Sequence, residues 1–281
     1  MNTQETKKEN ESSSSEEEGY WANKYLRTEV LPEEGLQWCP GCGGGTALNA
    51  FVRALDALAI PPEEVVAVSG IGCSAWLPSP NLKTDVLHTT HGRAIAFATG
   101  VKIGLPDKHV VVLSGDGDLA GIGGNHLIHA ARRNIGITVL LINNYTYGMT
   151  GGQVAATTLH GAKTTTSPYG NPEHPLNISG IVKEAGASYV ARWTTAQPQE
   201  LLVAIKNALT TEGFALVEII SQCPTVFGRR NKMPDPTDML QWYLERIEKG
   251  ELEVGEVVNR VREEFVDSLL KIQEEAQKCA K

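Results

Sequence analysis

The chain has 281 residues, 41% of them hydrophobic, which is enough to bury a sizeable core in one α/β domain with elaborations. Its formal charge of −8 argues against a nucleic-acid partner, because a phosphate backbone selects a basic face. No run approaches the roughly 18 apolar residues of a membrane helix, and the N-terminus lacks the basic-then-apolar pattern of a secretion signal. A cytoplasmic protein with no membrane partner is therefore expected. In that reducing compartment, five cysteines read as metal or redox chemistry rather than a disulfide framework.

In chain order, residues 1–19 are polar and Ser/Glu-rich, and are expected to be a disordered tail. From Tyr20 to Gly45 the sequence is irregular, broken by Pro32, Pro40 and several glycines. Leu48, Phe51, Val52, Leu55 and Leu58 then recur at three- and four-residue spacing, which predicts a helix over 46–59. Three apolar runs follow, at 65–68, 109–113 and 137–142, each ending in glycine or polar residues. Such unalternating Val/Ile-rich runs fit strands buried on both faces of a parallel sheet. Helical stretches at 93–103 and 123–134 lie between them, giving the alternation of a doubly wound, mostly parallel α/β fold. A helix over 199–209 and a strand over 215–220 continue the pattern. Beyond Pro236 the segments 237–248 and 256–278 carry apolar residues at helical spacing, the latter at Val257, Val261, Phe265, Leu269 and Ile272. Residues 236–281 are thus expected to be a C-terminal helical extension that docks on a partner or on the body, after a binding domain over 20–235.

Ligands of open parallel sheets bind beyond the carboxyl ends of the strands. Two of the predicted strands end in Gly115-Asp116-Gly117-Asp118 and in Asn143-Asn144, with 25 residues between Gly117 and Asn143. A carboxylate and a carboxamide on neighbouring strand ends offer the hard oxygen ligands Mg²⁺ prefers. Glycines flanking Asp116 let the backbone approach a phosphate, and a helix beginning near Gly123 adds free N–H groups. An isolated Gly-Asp-Gly is more often a capped tight turn; its pairing with Asn-Asn resembles the thiamine-diphosphate fingerprint. That resemblance implies Mg²⁺ on Asp116, Asn144 and the carbonyl of Thr146. Asp118 reads as a helix-capping residue.

Four cysteines form a second constellation. Cys39 and Cys42 make a Cys-Pro-Gly-Cys, Cys73 sits in Gly-Ile-Gly-Cys-Ser after the first strand, and Cys223 precedes Pro224 after the last apolar run. A dithiol, a structural zinc site and a [4Fe-4S] cluster compete for this pattern. The scattered spacing and glycine-rich surroundings tilt it toward the cluster without deciding between cluster and zinc. Cys279 reads as a surface thiol. His126 and His129, three apart on a predicted helix, read as packing or capping residues rather than metal ligands, and Arg132-Arg133 as a solvated or interface pair. Trp38 and Trp76 are equally compatible with shielding the cysteines and with ordinary core.

Taken together, Trp38–Gly43, Gly70–Ser74, His91–Ala94, Gly115–Asp118, the stretch 123–134, the stretch 143–153 and Cys223-Pro224 with Phe227–Asn231 resemble the β subunits of 2-oxoacid:ferredoxin oxidoreductases, over roughly residues 35–235. The resemblance implies the thiamine-diphosphate-binding fold and one [4Fe-4S] cluster on Cys39, Cys42, Cys73 and Cys223. Ile71, Gly72 and Cys73 would lie near thiamine diphosphate, with Gly115 and Gly117 at its phosphates and His91, the catalytic candidate, near the diphosphate. Gly148, Met149 and Thr150 would complete the pocket. One position departs from many relatives, which carry lysine where this chain has Gly151; the Met-Thr-Gly-Gly variant favours 2-oxoglutarate over pyruvate or branched-chain 2-oxoacids.

The implied reaction is coenzyme A-dependent oxidative decarboxylation of a 2-oxoacid, with electrons passed singly through the cluster to ferredoxin. Thiamine enzymes also need a second domain to bind the aminopyrimidine. None is visible in the sequence, so an α (or fused αγ) subunit is the expected partner, in a heterotetramer with two of each half. The rival readings are a non-oxidative thiamine-diphosphate decarboxylase subunit, which leaves the cysteines idle, and a zinc-stabilised structural protein, which leaves Gly-Asp-Gly and Asn-Asn idle.

Overall fold

A computed structural model describes residues 23–27 and 38–279; the tail expected over 1–19 and much of the irregular stretch after it lie outside the described residues. Seven strands form a single sheet: β1 (Val65–Ser69), β2 (Asp85–His88), β3 (His109–Gly115), β4 (Ile137–Asn143), β5 (Tyr189–Thr194), β6 (Ala215–Ile220) and β7 (Gly255–Asn259). Their order is β2-β1-β3-β4-β6-β5-β7, with every pairing parallel except β5 with β7. The helices are α1 (Gly44–Ala57), α2 (Ala94–Gly104), α3 (Gly124–Arg133), α4 (Ile178–Ala185), α5 (Pro198–Thr210), α6 (Pro236–Glu248) and α7 (Phe265–Cys279).

The unalternating runs have the predicted cause. Strand side chains alternate between faces, so a strand covered on both sides must be apolar throughout. In β1, Val65 and Ala67 enter one core with Phe51 and Leu55 of α1 and Leu201 and Ile205 of α5. Val66 and Val68 enter a second core with Ile95 of α2, Leu127 of α3 and Val182 of α4. Strands β3, β4 and β6 divide in the same way between the two layers. Among the described residues no helix is long and apolar enough to cross a membrane.

One expectation changes at the C-terminus. The helix read from Glu256 begins at Phe265, and residues 255–259 instead form the antiparallel edge strand β7. Val257 and Val258 both pack beside the second core because the β5–β7 register shifts there, leaving Val257 as an extra residue in a bulge. Of the two expected positions for the extension, partner or body, α6 takes the body: its Met239 and Tyr243 are fully buried with Tyr145, Ile220 and Phe227. Three further elements carried too little pattern to be predicted: β2, α4 and β5.

Candidate functional site

The carboxyl ends of β1, β3 and β4 open onto one cavity of about 230 Å³. It lies where the chain leaving β1 turns aside to the edge strand β2 while the chain leaving β3 continues to β4, the position at which doubly wound folds bind ligands. Ile71, Gly72 and Cys73 line it from the first connection, His91 from the segment before α2, and Gly115, Asp116 and Gly117 from the second. Asn144, Thr146, Gly148, Met149 and Thr150 line it from the third. Three residues that sequence reasoning left out join them: Ser74, Asp118 and Tyr147. Tyr147 lay within a quoted motif, and its ring stands where a methyl on Gly117 would sit, 2.4 Å from that position. Gly117 is thereby required by close packing.

Helical structure begins at once after Asp116, in a wide π-helical turn over Gly117–Ile122 that leads into α3. The amide end facing the cavity is therefore the start of this turn rather than the region of Gly123. Asn144 Oδ1 accepts the Thr146 amide at 3.2 Å and Thr146 Oγ1 donates to the Gln153 carbonyl at 2.9 Å, which folds the loop after β4 back on itself. Asp116 is 2% exposed, and its Oδ2 accepts a short hydrogen bond from the Thr157 hydroxyl. Burial raises its carboxyl to a pKa of about 6 despite that hydroxyl and nearby amides. A negative charge held this deep with so little compensation suits a cation.

Asp118 is not a cap. It is 2% exposed, and its Oδ1 accepts the amides of Gly92 at 2.7 Å and Ile71 at 3.2 Å while Oδ2 accepts the Ser114 hydroxyl at 2.8 Å. His91 Nδ1 approaches the same Oδ1 at 2.7 Å, close enough for an ion pair but without the alignment of a hydrogen bond.

The four thiols lie beside this cavity. A methyl on Gly148 would lie 3.6 Å from Cys73 Sγ and 4.0 Å from Cys223 Sγ, so one glycine of the cofactor loop backs both. The Cys39–Gly45 loop is pinned to the Cys223 segment, because the Gly43 amide donates to the Gln222 carbonyl at 3.0 Å. The Gly44 amide points at Cys42 Sγ at 3.4 Å. Burial pushes the Cys42 thiol up to about 11 and the Cys73 thiol up to about 12, and the other cysteines push them further in the same direction. Cys223 is raised for the same leading reason. Among the described residues no group of three or more His, Cys, Asp or Glu side chains is arranged as it stands to hold a metal ion. The donor chemistry nevertheless suits one: three buried thiols that ionise reluctantly beside one another, with an N–H aimed at the Cys42 sulfur, are stabilised as thiolates by a shared cationic centre. Cys279 is exposed and far along α7, His129 is exposed and His126 half-buried on α3. Trp38 packs against the first core, whereas Trp76 is 39% exposed.

Residues 70–219 match the C-terminal, thiamine-pyrophosphate-binding domain of thiamine pyrophosphate enzymes. The chain is 50% identical over 264 residues to the 2-oxoglutarate synthase subunit KorB of Methanocaldococcus jannaschii, covering 89% of this chain and 96% of that one. The chain belongs to the β subunits of the 2-oxoacid:ferredoxin oxidoreductases. Within that family it is most like the 2-oxoglutarate enzymes. The KorB subunit of Archaeoglobus fulgidus is 45% identical over 257 residues, covering 88% of this chain and 92% of its own. Among solved structures, the 2-oxoglutarate:ferredoxin oxidoreductase of Magnetococcus marinus, with 2-oxoglutarate, coenzyme A and succinyl-CoA bound, superposes with a TM-score of 0.78 at 36% identity. That match covers 90% of this chain and 89% of the other, so the β-subunit fold is shared over nearly its whole length.

Proposed function

We propose that this chain is the thiamine-diphosphate-binding subunit of a 2-oxoglutarate:ferredoxin oxidoreductase. The reaction converts 2-oxoglutarate and coenzyme A to succinyl-CoA and CO₂ and passes two electrons, one at a time, to ferredoxin. One observation carries this reading: a single cavity at the strand ends gathers the Gly-Asp-Gly and Asn-Asn residues, and its loop glycine Gly148 also backs two of the four thiols. Thiamine diphosphate supplies the decarboxylation chemistry when bound. Asp116, Asn144 and the carbonyl of Thr146 hold its Mg²⁺, and the buried charge of Asp116 is compensated in the process. Gly115 leaves room for the diphosphate, with His91 beside it, while Gly117 admits the Tyr147 ring, and Ile71, Gly72, Met149 and Thr150 wall the reacting end. Cys39, Cys42, Cys73 and Cys223 hold a [4Fe-4S] cluster, the one-electron acceptor the reaction needs nearby.

The cavity is smaller than the roughly 300–1,000 Å³ of a complete small-molecule site, which fits half a site closed by an α subunit. An arrangement with two copies of each half about a twofold axis follows from the commonest oligomer symmetry. The test is the visible spectrum and metal content of the anaerobically purified complex with its α subunit. Iron with a broad absorption that bleaches on adding 2-oxoglutarate and coenzyme A supports the assignment. Zinc without iron, and no bleaching by any 2-oxoacid, overturns it.

A further inference from the structure

We propose that Asp118 is the positioning residue of the cofactor cavity, acting on the ligand through His91. The inference rests on the thiamine-diphosphate reading of that cavity. Asp118 joins three separate pieces of chain that wall it. Its carboxylate takes the Ile71 amide from the connection after β1, the Gly92 amide from the segment before α2, and the Ser114 hydroxyl of β3. The partners at Ile71 and Gly92 are 47 and 26 residues away in sequence, so no local capping role accounts for them. The surroundings are shaped to admit the carboxylate. A methyl on Gly70 would lie 2.0 Å from Oδ2, and Gly92 takes a φ of +75° that favours glycine and presents its N–H to Oδ1.

Oδ1 also lies 2.7 Å from Nδ1 of His91, a ring 36% exposed that lines the cavity. With Nδ1 facing the buried carboxylate at 2.7 Å, Nε2 is the nitrogen left to a ligand. Two jobs are thus combined in one side chain: tying the loops through hydrogen bonds, and holding His91 through charge.

The jobs separate by substitution. In Asp118→Asn the amide oxygen still accepts the Ile71 and Gly92 N–H groups and the NH₂ donates to Ser114, so the loops stay tied while the charge facing His91 is gone. Asp118→Ala loses both. The α-subunit complex of each variant, and of His91→Ala with and without Asp118→Asn, is compared in two ways. Amide hydrogen exchange at residues 70–73 and 92 is followed without cofactor, and thiamine diphosphate affinity is measured calorimetrically with Mg²⁺ present. Exchange is expected to rise in Asp118→Ala and to stay unchanged in Asp118→Asn. Affinity is expected to fall about tenfold in Asp118→Asn, the low end of what losing a carboxylate behind a metal-ligating histidine costs, and the same substitution should have no further effect in the His91→Ala background. Unchanged affinity in Asp118→Asn, or an equal loss with and without His91, overturns the proposal. If the unsubstituted complex fails to bind thiamine diphosphate, the cavity reading itself falls and takes this inference with it, a result distinct from either.

Discussion

Removing the carboxylate of Glu218 tests how the sheet holds the site from behind. Glu218 is 2% exposed in β6, and its oxygens accept hydrogen bonds from Asn143 Nδ2 at 2.8 Å, Ser179 Oγ at 2.5 Å and Arg192 Nε at 2.8 Å. Glu218→Ala leaves the Arg192 guanidinium and two buried donors without that acceptor. Breaking one side of a buried pair costs about 3–5 kcal/mol. Arg192 is 15% exposed and keeps a bond to Asn177 Oδ1 at 2.9 Å, so the low end, about 3 kcal/mol, applies. At roughly 2–4 °C per kcal/mol for a chain of this size, the melting point should drop by about 6–12 °C. Thermal unfolding followed by near-UV circular dichroism measures it. Glu218→Leu combined with Arg192→Met removes both charges and should recover part of the loss, the remainder being the Asn143 and Ser179 donors still left without an acceptor. A drop under about 2 °C for the single variant, or a double variant as unstable as the single one, would refute this account of the β5–β6 pair.

Other outcomes follow from the same geometry. Gly117→Ala drives a methyl into the Tyr147 ring, an overpacking cost of about 1–3 kcal/mol; with Tyr147 displaced from the cavity wall, thiamine diphosphate binding should weaken by roughly fivefold or more in calorimetry. Asp116 has its folded-state pKa raised from 3.8 to about 6 by burial. The stability this gives the metal-free chain is therefore fully present below about pH 3.8 and is lost as pH rises through about 6. Denaturant titrations across pH 5 to 7.5 should show stability falling with pH, and Asp116→Asn should flatten that part of the slope. Protons compete with Mg²⁺ at the same carboxylate, so metal-dependent cofactor binding should weaken below about pH 6. Cys73→Ala and Cys223→Ala, which remove the two thiols backed by Gly148, should each abolish stoichiometric iron, whereas Cys279→Ala should keep it; metal analysis of anaerobic preparations decides.

How much was legible in the sequence depended on the range over which each signal acts. Strands β1, β3, β4 and β6 are buried on both faces, so apolarity alone marked them. Edge strands β2 and β7 are only partly buried and carry no such mark. Strand β5 was obscured because Arg192 interrupts its apolar run, and that arginine is explained only by Glu218 on the neighbouring strand. The cavity residues were legible because each lies in a short glycine-rich motif at a strand end. Asp118 was misread for the opposite reason: an aspartate at a helix start has a local explanation, and its actual partners are brought in by the fold. Thr157, whose hydroxyl meets Asp116, sits in an irregular stretch 41 residues on, where nothing local distinguishes it.

The joint between the two constellations lies in the loop after β4. Asn144, Thr146, Met149 and Thr150 face the cavity, while Gly148 between them has no side chain and so lets Cys73 and Cys223 come up from behind. A larger residue at 148 would meet both sulfurs, since even a methyl reaches van der Waals distance of Cys73. Cys73 itself belongs to both groups, lining the cavity by position and facing the other thiols by charge. Cys73 and Gly148 are thus the residues common to the cavity wall and the thiol group, so substitutions at either act on both.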